Sequence, residues 1–426
     1  MMLSKKQHLL NEKDKILLYK NRKFDKNKEI VMRRVLYYMA IIWYKVENIL
    51  LKLIPSKEEN TIVLLRTDNI GDFLLWTDSA KEFRKRFKDK KIVLICNTST
   101  CTIAKMLPYW DEIIGVREQK MLFNPIYRLR LFISLSRRKF QTIYNCVYSH
   151  NYFVMDTIVN SLKANEKIGY DGDYTNIKNI LKGFRFSANK MERIKEKLSQ
   201  KTKTYYTQMV KGKEEILMEL SRNADFIRGT IDKDFLSSLP RIEIKTTGKD
   251  FGLKENEYMV LFIGSSSLHR AWNREKYALL IDSVKEKVVI CGGRSDERVL
   301  SEILPLVHRE VVDLVGKTSM MDLFSVIKNA KYIVTNDTSA GHIAPIVRTK
   351  SVVLLPGNYP GRFHPYKVEN LTDKDKDYLP KAIYHSMDCF NCANYCKYVH
   401  DQKTIWPCID KIQVEDVLKE IEEMVF

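Results

Sequence analysis

Glycine and proline are scarce in this chain of 426 residues, at 16 and 11 respectively. Their scarcity excludes a collagen-like or low-complexity chain, and an apolar fraction of 45% excludes wholesale disorder. Eight cysteines are too few to staple a chain of this length as a disulfide scaffold. The start, MMLSKKQHLLNEKDK, is lysine-rich and lacks the apolar core and small-residue cleavage site of a secretory signal, so a reducing, cytoplasmic setting is expected. No apolar run reaches the roughly twenty residues of a spanning helix; the longest uncharged stretch near the start is Val35–Tyr44. No GxGxxG follows an expected strand, which leaves out the dinucleotide fingerprint. Gly316-Lys317-Thr318 lacks the upstream glycine of a phosphate-binding P-loop, because position 311 is valine.

Acidic residues are in deficit, with 53 Asp+Glu against 72 Lys+Arg and a net charge of +19. The excess is uneven: +7 in residues 1–60, +13 in 61–250 and −1 in 251–426. A basic surface suits nucleic acid, an anionic membrane or an anionic substrate, and composition alone does not choose. At roughly 150 residues per domain, the length suggests two or three domains.

Residues 30–55 read as a helix with aromatic Tyr37, Tyr38, Trp43 and Tyr44 and cations Arg33, Arg34, Lys45 and Lys52. That composition suits a helix lying in a membrane interface, and equally a helix packed on the protein's own core. From residue 61 short β-branched runs alternate with helix-length segments. The runs are 61–65, 91–96, 112–116 and 142–148, then 258–263, 287–291, 311–315, 331–335 and 351–355. The helical segments include 75–88, 273–286, 296–308 and 319–329, and residues 175–230 read as polar helices and loops. Continuous apolar strands are expected where both faces of a parallel sheet are covered, so two doubly wound α/β halves follow, divided near 240–255. Ligands in such folds bind at the carboxyl ends of the strands.

Three loops after strands carry the chemistry. In LLRTDNIGDFLLWT, Asp72 lands near a helix start, as an N-cap or as a carboxylate facing a cleft, and Asp68 competes with it. In FIGSSSLHRAWNREKY, Gly264, Ser265 and Ser266 offer donors and Arg270 a cation. In IVTNDTSAGHIAPIV, Asp337, Thr338, Ser339 and Ala340 open a helix that carries His342, a suitable diphosphate site. D-x-D triplets at Asp171–Asp173, Asp232–Asp234 and Asp373–Asp377 read as solvated loops, not metal sites.

These loops, with GKTSMMDLFSVIKNAKYIVTNDTSAGHIA and the ending CIDKIQVEDVLKEI, resemble glycosyltransferase family 9, the ADP-heptose:lipopolysaccharide heptosyltransferases and their relatives, from about residue 61 onward. The resemblance implies a GT-B fold, two Rossmann-like domains facing a central cleft, here preceded by a basic amphipathic helical arm over 1–58. The implied acceptor domain spans 59–248. The implied nucleotide-sugar domain spans 249–426, with a Cys-rich loop at 389–408 and a final helix over 413–425 that commonly crosses back in this family. The implied activity is inverting, metal-independent transfer of a heptose or similar sugar from a nucleotide-sugar, ADP-heptose first, to a lipopolysaccharide core or related glycan. Asp72 matches the proposed general base, and Arg270 stands where many members have lysine. Gly264, Ser265, Ser266, Asp337, Thr338, Ser339, Ala340 and His342 fall on the donor side with an acidic residue after CGGR, Asp296 or Glu297, of which Glu297 is the implied nucleoside contact. Asp68 and Asn69 fall on the acceptor side. The alternatives are a non-catalytic nucleotide-sugar or glycan-binding relative, and another sugar-nucleotide enzyme such as an epimerase. The chain departs from the family at Ser339-Ala340-Gly341 and Arg348-Thr349-Lys350, which leaves the donor sugar open.

The charge split fits an anionic membrane surface and a phosphorylated lipid-linked acceptor, and makes no use of nucleic acid. A peripheral place on the inner face of the cell membrane is expected. No catalytic cofactor is expected. Cys389, Cys392, Cys396 and Cys408 suit either a structural zinc or reduced surface cysteines.

Overall fold

The computed structural model describes residues 12–213, 215–244, 249–265, 267–399, 401 and 404–425, with side chains from Glu29 onward. The chain forms two compact units, one from segments 1–60 and 117–209, the other from 61–116 and 210–426.

In the first unit a 41-residue helix, Glu12–Lys52, presents two unlike faces. Tyr37, Glu47 and Leu51 are buried. Tyr37 meets Phe153, Phe184 and Phe186 edge-on, so this face packs on the protein's own core. Val31, Val35, Met39, Ile42, Val46 and Ile49 lie on the other side, between 43% and 62% exposed. Helix Pro125–Ser136 sends Arg128 to Glu47 at 2.8 Å, and both side chains are buried. Arg128 also covers the Tyr44 ring at 4.0 Å. Strands Arg138–Asn145 and Lys163–Asp171 pair in parallel, and Lys57–Glu58 pairs with the first of them. The first strand was expected over 142–148. It stops earlier because the Asn145 side chain accepts from Val147 N at 3.3 Å and turns the chain. Lys163–Asp171 was not anticipated, since KANEKIGYD opens with polar residues. Helices Thr175–Lys182 and Ala188–Lys203 complete this core with Ile177, Leu181 and Leu198.

In the second unit strands Thr61–Arg66, Lys91–Asn97 and Glu112–Val116 pair in parallel, with Lys91–Asn97 in the middle. A second, all-parallel sheet runs in the order Val311–Asp313, Lys287–Cys291, Tyr258–Phe262, Tyr332–Asn336, Lys350–Leu355, Lys381–Tyr384. Its chain order reverses between Tyr258–Phe262 and Tyr332–Asn336. The loops leaving those two strands therefore open onto one crevice, the position where this topology binds ligands. The central strands are buried on both faces, which is why they read as unbroken apolar runs.

The last helix, Val414–Val425, does not leave this sheet. Val414, Val417, Ile421 and Met424 form a stripe that packs with Trp272, Val352 and Leu354. The expectation that it crosses back is corrected: its apolar stripe is fully used on its own sheet. Among the described residues no helix is long and apolar enough to cross a membrane.

Candidate active site

The second unit holds a cleft of about 510 Å³ lined from both of its sheets. Strand Thr61–Arg66 ends in a wholly buried arginine, and helix Ile70–Arg86 starts four residues later. Asn69, not Asp72, takes the N-cap position; Phe73 N donates to Asn69 O at 2.9 Å. Asp72 is the third helical residue, near the positive end of the helix dipole, with Asn69, Ile70 and Gly71 also on the cleft wall. Burial raises the Asp72 carboxyl to about 6, the nearby Glu219 charge adds to the rise, and Arg362 and Arg66 oppose it. Asp68 is also pushed up by burial, against the pull of Arg66, whose Nε lies 2.9 Å from its carboxylate. Asp68 does not line the cleft. Its carboxylate belongs to the Arg66 cluster behind the wall.

The opposite wall comes from the second sheet. Phe262 ends the first strand at the order reversal, and Gly264, Ser265 and Arg270 follow it. Arg270 donates to the Asp337 carboxylate at 2.5 Å and to the Asp337 carbonyl at 2.9 Å. Thr338 is the N-cap of helix Ser339–Ile346 and Ser339 its first residue, both on the cleft wall, and the next residue, Ala340, is buried. His342 is one turn in. Its Nδ1 bonds the Tyr366 hydroxyl at 2.6 Å, its ring stacks on His364 with centroids 5.1 Å apart, and burial drives its pKa down to about 3. The imidazole is therefore neutral at physiological pH. An added Cβ on Gly71 would sit 2.8 Å from His342 Cδ2, so only glycine allows the two walls to approach here.

The structure thus brings Asn69, Asp72, Gly264, Ser265, Arg270, Asp337, Thr338, Ser339 and His342 to one cleft. Ser266 lies outside the described residues. Asp296 lines the cleft and Glu297 does not. The short turn Arg294–Asp296 aims Asp296 inward, where it accepts from Gly293 N at 2.7 Å, and Glu297 begins the next helix. Sequence reasoning missed Ser99 and Phe363 on the wall and the charged cluster beneath it. There Arg66 donates to Asn223 at 2.9 Å, to Glu219 at 3.2 Å and to the Asp72 carbonyl at 3.1 Å.

Among the described residues one group of metal-ligating atoms converges within 4.8 Å: Asp337, His342 and His364. Arg270 and Tyr366 already bond two of the three. Cys389, Cys392, Cys396 and Cys408 line one small cavity with Phe390 and Trp406. They do not form such a converged set, whereas a tetrahedral zinc–thiolate site with bonds of about 2.3 Å needs sulfurs about 3.8 Å apart. Asp171 and Asp373, from two of the D-x-D triplets, are ion-paired with Lys203 and Lys376.

The family model described as "Glycosyltransferase family 9 (heptosyltransferase)" matches residues 128–374, more than half of the chain. The chain belongs to glycosyltransferase family 9. A curated relative, lipopolysaccharide heptosyltransferase 3 of Escherichia coli (strain K12), is 24% identical over 110 residues, 24% of this chain and 32% of that protein. The match thus spans about a third of that relative's length. Among solved structures, a family 9 glycosyl transferase from Veillonella parvula superposes with a TM-score of 0.62 at 16% identity, covering 86% of this chain and 97% of that one. The E. coli ADP-heptose lps heptosyltransferase II gives 0.57 at 16% identity, covering 86% and 98%. The E. coli heptosyltransferase WaaC with ADP-2-deoxy-2-fluoro heptose gives 0.53 at 13%, covering 85% and 99%. These likenesses confirm the GT-B fold of this family 9 chain.

Proposed function

We propose that this family 9 protein is an inverting, metal-independent glycosyltransferase that moves a heptose or similar sugar from a nucleotide-sugar to a lipopolysaccharide core or related surface glycan. The observation that carries the reading is Asp72, a carboxyl with a pKa raised to about 6, on the wall of the cleft formed at the order reversal of the second sheet. In the reaction, Asp72 takes the proton of the acceptor hydroxyl as its oxygen attacks the anomeric carbon from the side opposite the diphosphate. The bond from that carbon to the diphosphate oxygen breaks, and the nucleoside diphosphate leaves with the electron pair. Its growing charge is met by Arg270 and by the first amides of helix Ser339–Ile346. Arginine binds phosphate through two parallel donors, where the lysine of many relatives acts as a point charge. Neutral His342 brings no competing charge. Asn69 orients the acceptor, and Asp296 is better placed than Glu297 to meet the nucleoside.

The donor of this reading is ADP-heptose, supported by the solved relative that carries a fluorinated ADP-heptose. Within it the acceptor half corresponds to 59–248 and the donor half to 249–426. The acceptor is a phosphorylated, lipid-linked glycan reached from the cytoplasmic side of an anionic membrane. The test is a thermal-shift screen against ADP-, GDP-, UDP- and CMP-sugars, followed by a transfer assay. Asp72→Asn should bind the donor almost unchanged and lose transfer, and transfer should survive EDTA. Unchanged turnover in the variant removes Asp72 from the chemistry, and loss in EDTA rescued by a divalent ion ends the metal-independent reading.

A further inference from the structure

At 3.6 residues per turn, Val31, Val35, Met39, Ile42, Val46 and Ile49 fall within a narrow arc of helix Glu12–Lys52, opposite the buried Tyr37 and Leu51. Next to this stripe, Phe123 and Ile126 are 76% and 64% exposed. The two sets do not merely coincide in exposure. Leu36, Met39, Ile42 and Val46 share with Phe123 and Ile126 a single groove of about 520 Å³, whose floor includes Trp43 and Leu129. Monomeric proteins seldom leave so continuous an apolar surface in water. Charge names the partner. Segments 1–60 and 117–209, which form this unit, hold 32 Lys+Arg and 14 Asp+Glu, a net +18; the rest of the chain holds 40 and 39. On the helix itself Arg34, Lys45 and Lys52 lie along one border of the apolar stripe and are exposed. An apolar stripe bordered by cations on a strongly basic body is complementary to acyl chains beneath anionic headgroups.

We infer that this face of the first unit docks in the plane of an anionic phospholipid bilayer, with an acyl chain lodged in the groove between the long helix and Phe123–Ile126. This names the surface for the peripheral location proposed above. It is measured without sugar transfer, so its failure and that of the cleft reading are separate results.

The full chain should co-sediment with vesicles of phosphatidylglycerol and phosphatidylcholine, bind pure phosphatidylcholine vesicles at least about tenfold more weakly, and release as salt is raised. Ile42→Asp/Phe123→Asp alters two exposed side chains, so thermal unfolding should stay close to wild type while vesicle binding falls by about tenfold or more. Lipids brominated in the acyl chain should quench the fluorescence, and Trp43→Phe should remove most of that quenching. Undiminished binding by the double variant overturns the inference. So does equal binding to neutral vesicles. A dimer in solution that the same variant dissociates, without vesicle binding by either form, assigns the face to a second copy of this chain and overturns it as well.

Discussion

Arg66 and Glu219 meet at 3.2 Å beneath the cleft, both buried, one at the end of a strand and the other at the start of helix Glu219–Arg228. The same guanidinium holds Asp68 and the carbonyl of Asp72. Glu219 therefore acts on Asp72 in two ways: its charge raises the Asp72 pKa, and its bond to Arg66 keeps Arg66 against the Asp72 backbone. Glu219→Gln removes the first effect and keeps a hydrogen-bond acceptor for the second. The Asp72 pKa should then fall, and the acid limb of the kcat/KM profile should move to lower pH. A limb that stays in place, with only the maximum reduced, would show that Glu219 matters for packing alone.

The raised pKa of Asp72 also has a cost in stability. Its folded value, about 6, exceeds the ordinary 3.8, so the folded state binds the proton more tightly than the unfolded chain does. Stability from this group is greatest below pH 4, declines as pH rises through 6, and is level above that. Asp72→Asn removes the buried charge, and above pH 7 it should be more stable than wild type by on the order of 3 kcal/mol. Below pH 4 the two should coincide. Urea titrations at pH 4 and pH 8 measure the difference; equal gains at both values would exclude the charge as its cause.

Strands such as Thr61–Arg66 and Tyr258–Phe262 were legible because both faces are buried, which leaves an apolar run no loop would carry. The loops after them were legible as glycine and small polar residues between such runs. The Arg66 cluster was not. A fully buried arginine at a strand end looks like any polar boundary residue, and its partner Glu219 lies 153 positions away in a lysine-rich stretch. Asp296 and Glu297 are adjacent, and only the turn Arg294–Asp296 decides which of them faces inward. The two faces of the long helix could not be separated by composition, because the buried and exposed faces are both rich in large apolar side chains.

Gly71→Ala tests the approach of the cleft walls. The new methyl would stand 2.8 Å from His342 Cδ2, and His342 is itself fixed by Tyr366 and the His364 stack. Relief needs either helix Ile70–Arg86 or the imidazole to shift. Such overpacking costs about 1–3 kcal/mol, and a displaced Asp72 should lower kcat/KM more than it changes donor binding. The double variant Gly71→Ala/His342→Ala makes room for the methyl, so its stability should exceed the sum of the single effects. Additive losses in a denaturation series would mean that the two residues do not press on each other.

The Glu47–Arg128 pair decides whether the long helix is part of the first unit or only laid upon it. Both groups are buried, the carboxylate lies 2.8 Å from Arg128 Nε, and Arg128 also donates to the Phe153 carbonyl at 3.2 Å and covers Tyr44 and Phe132. Burial pushes the Glu47 carboxyl up, and Arg128 pulls it back. Glu47→Ala leaves Arg128 charged and without its anion, a change that costs about 3–5 kcal/mol when the surviving charge stays buried. Glu47→Leu/Arg128→Met removes both charges and keeps the volume, so it should recover most of that loss. Hydrogen exchange along residues 35–52 gives the local readout. Protection should fall in Glu47→Ala and return in the double variant. Unchanged protection in Glu47→Ala would place the anchor of the helix in the aromatic contacts of Tyr37 instead, and Tyr37→Ala should then release it.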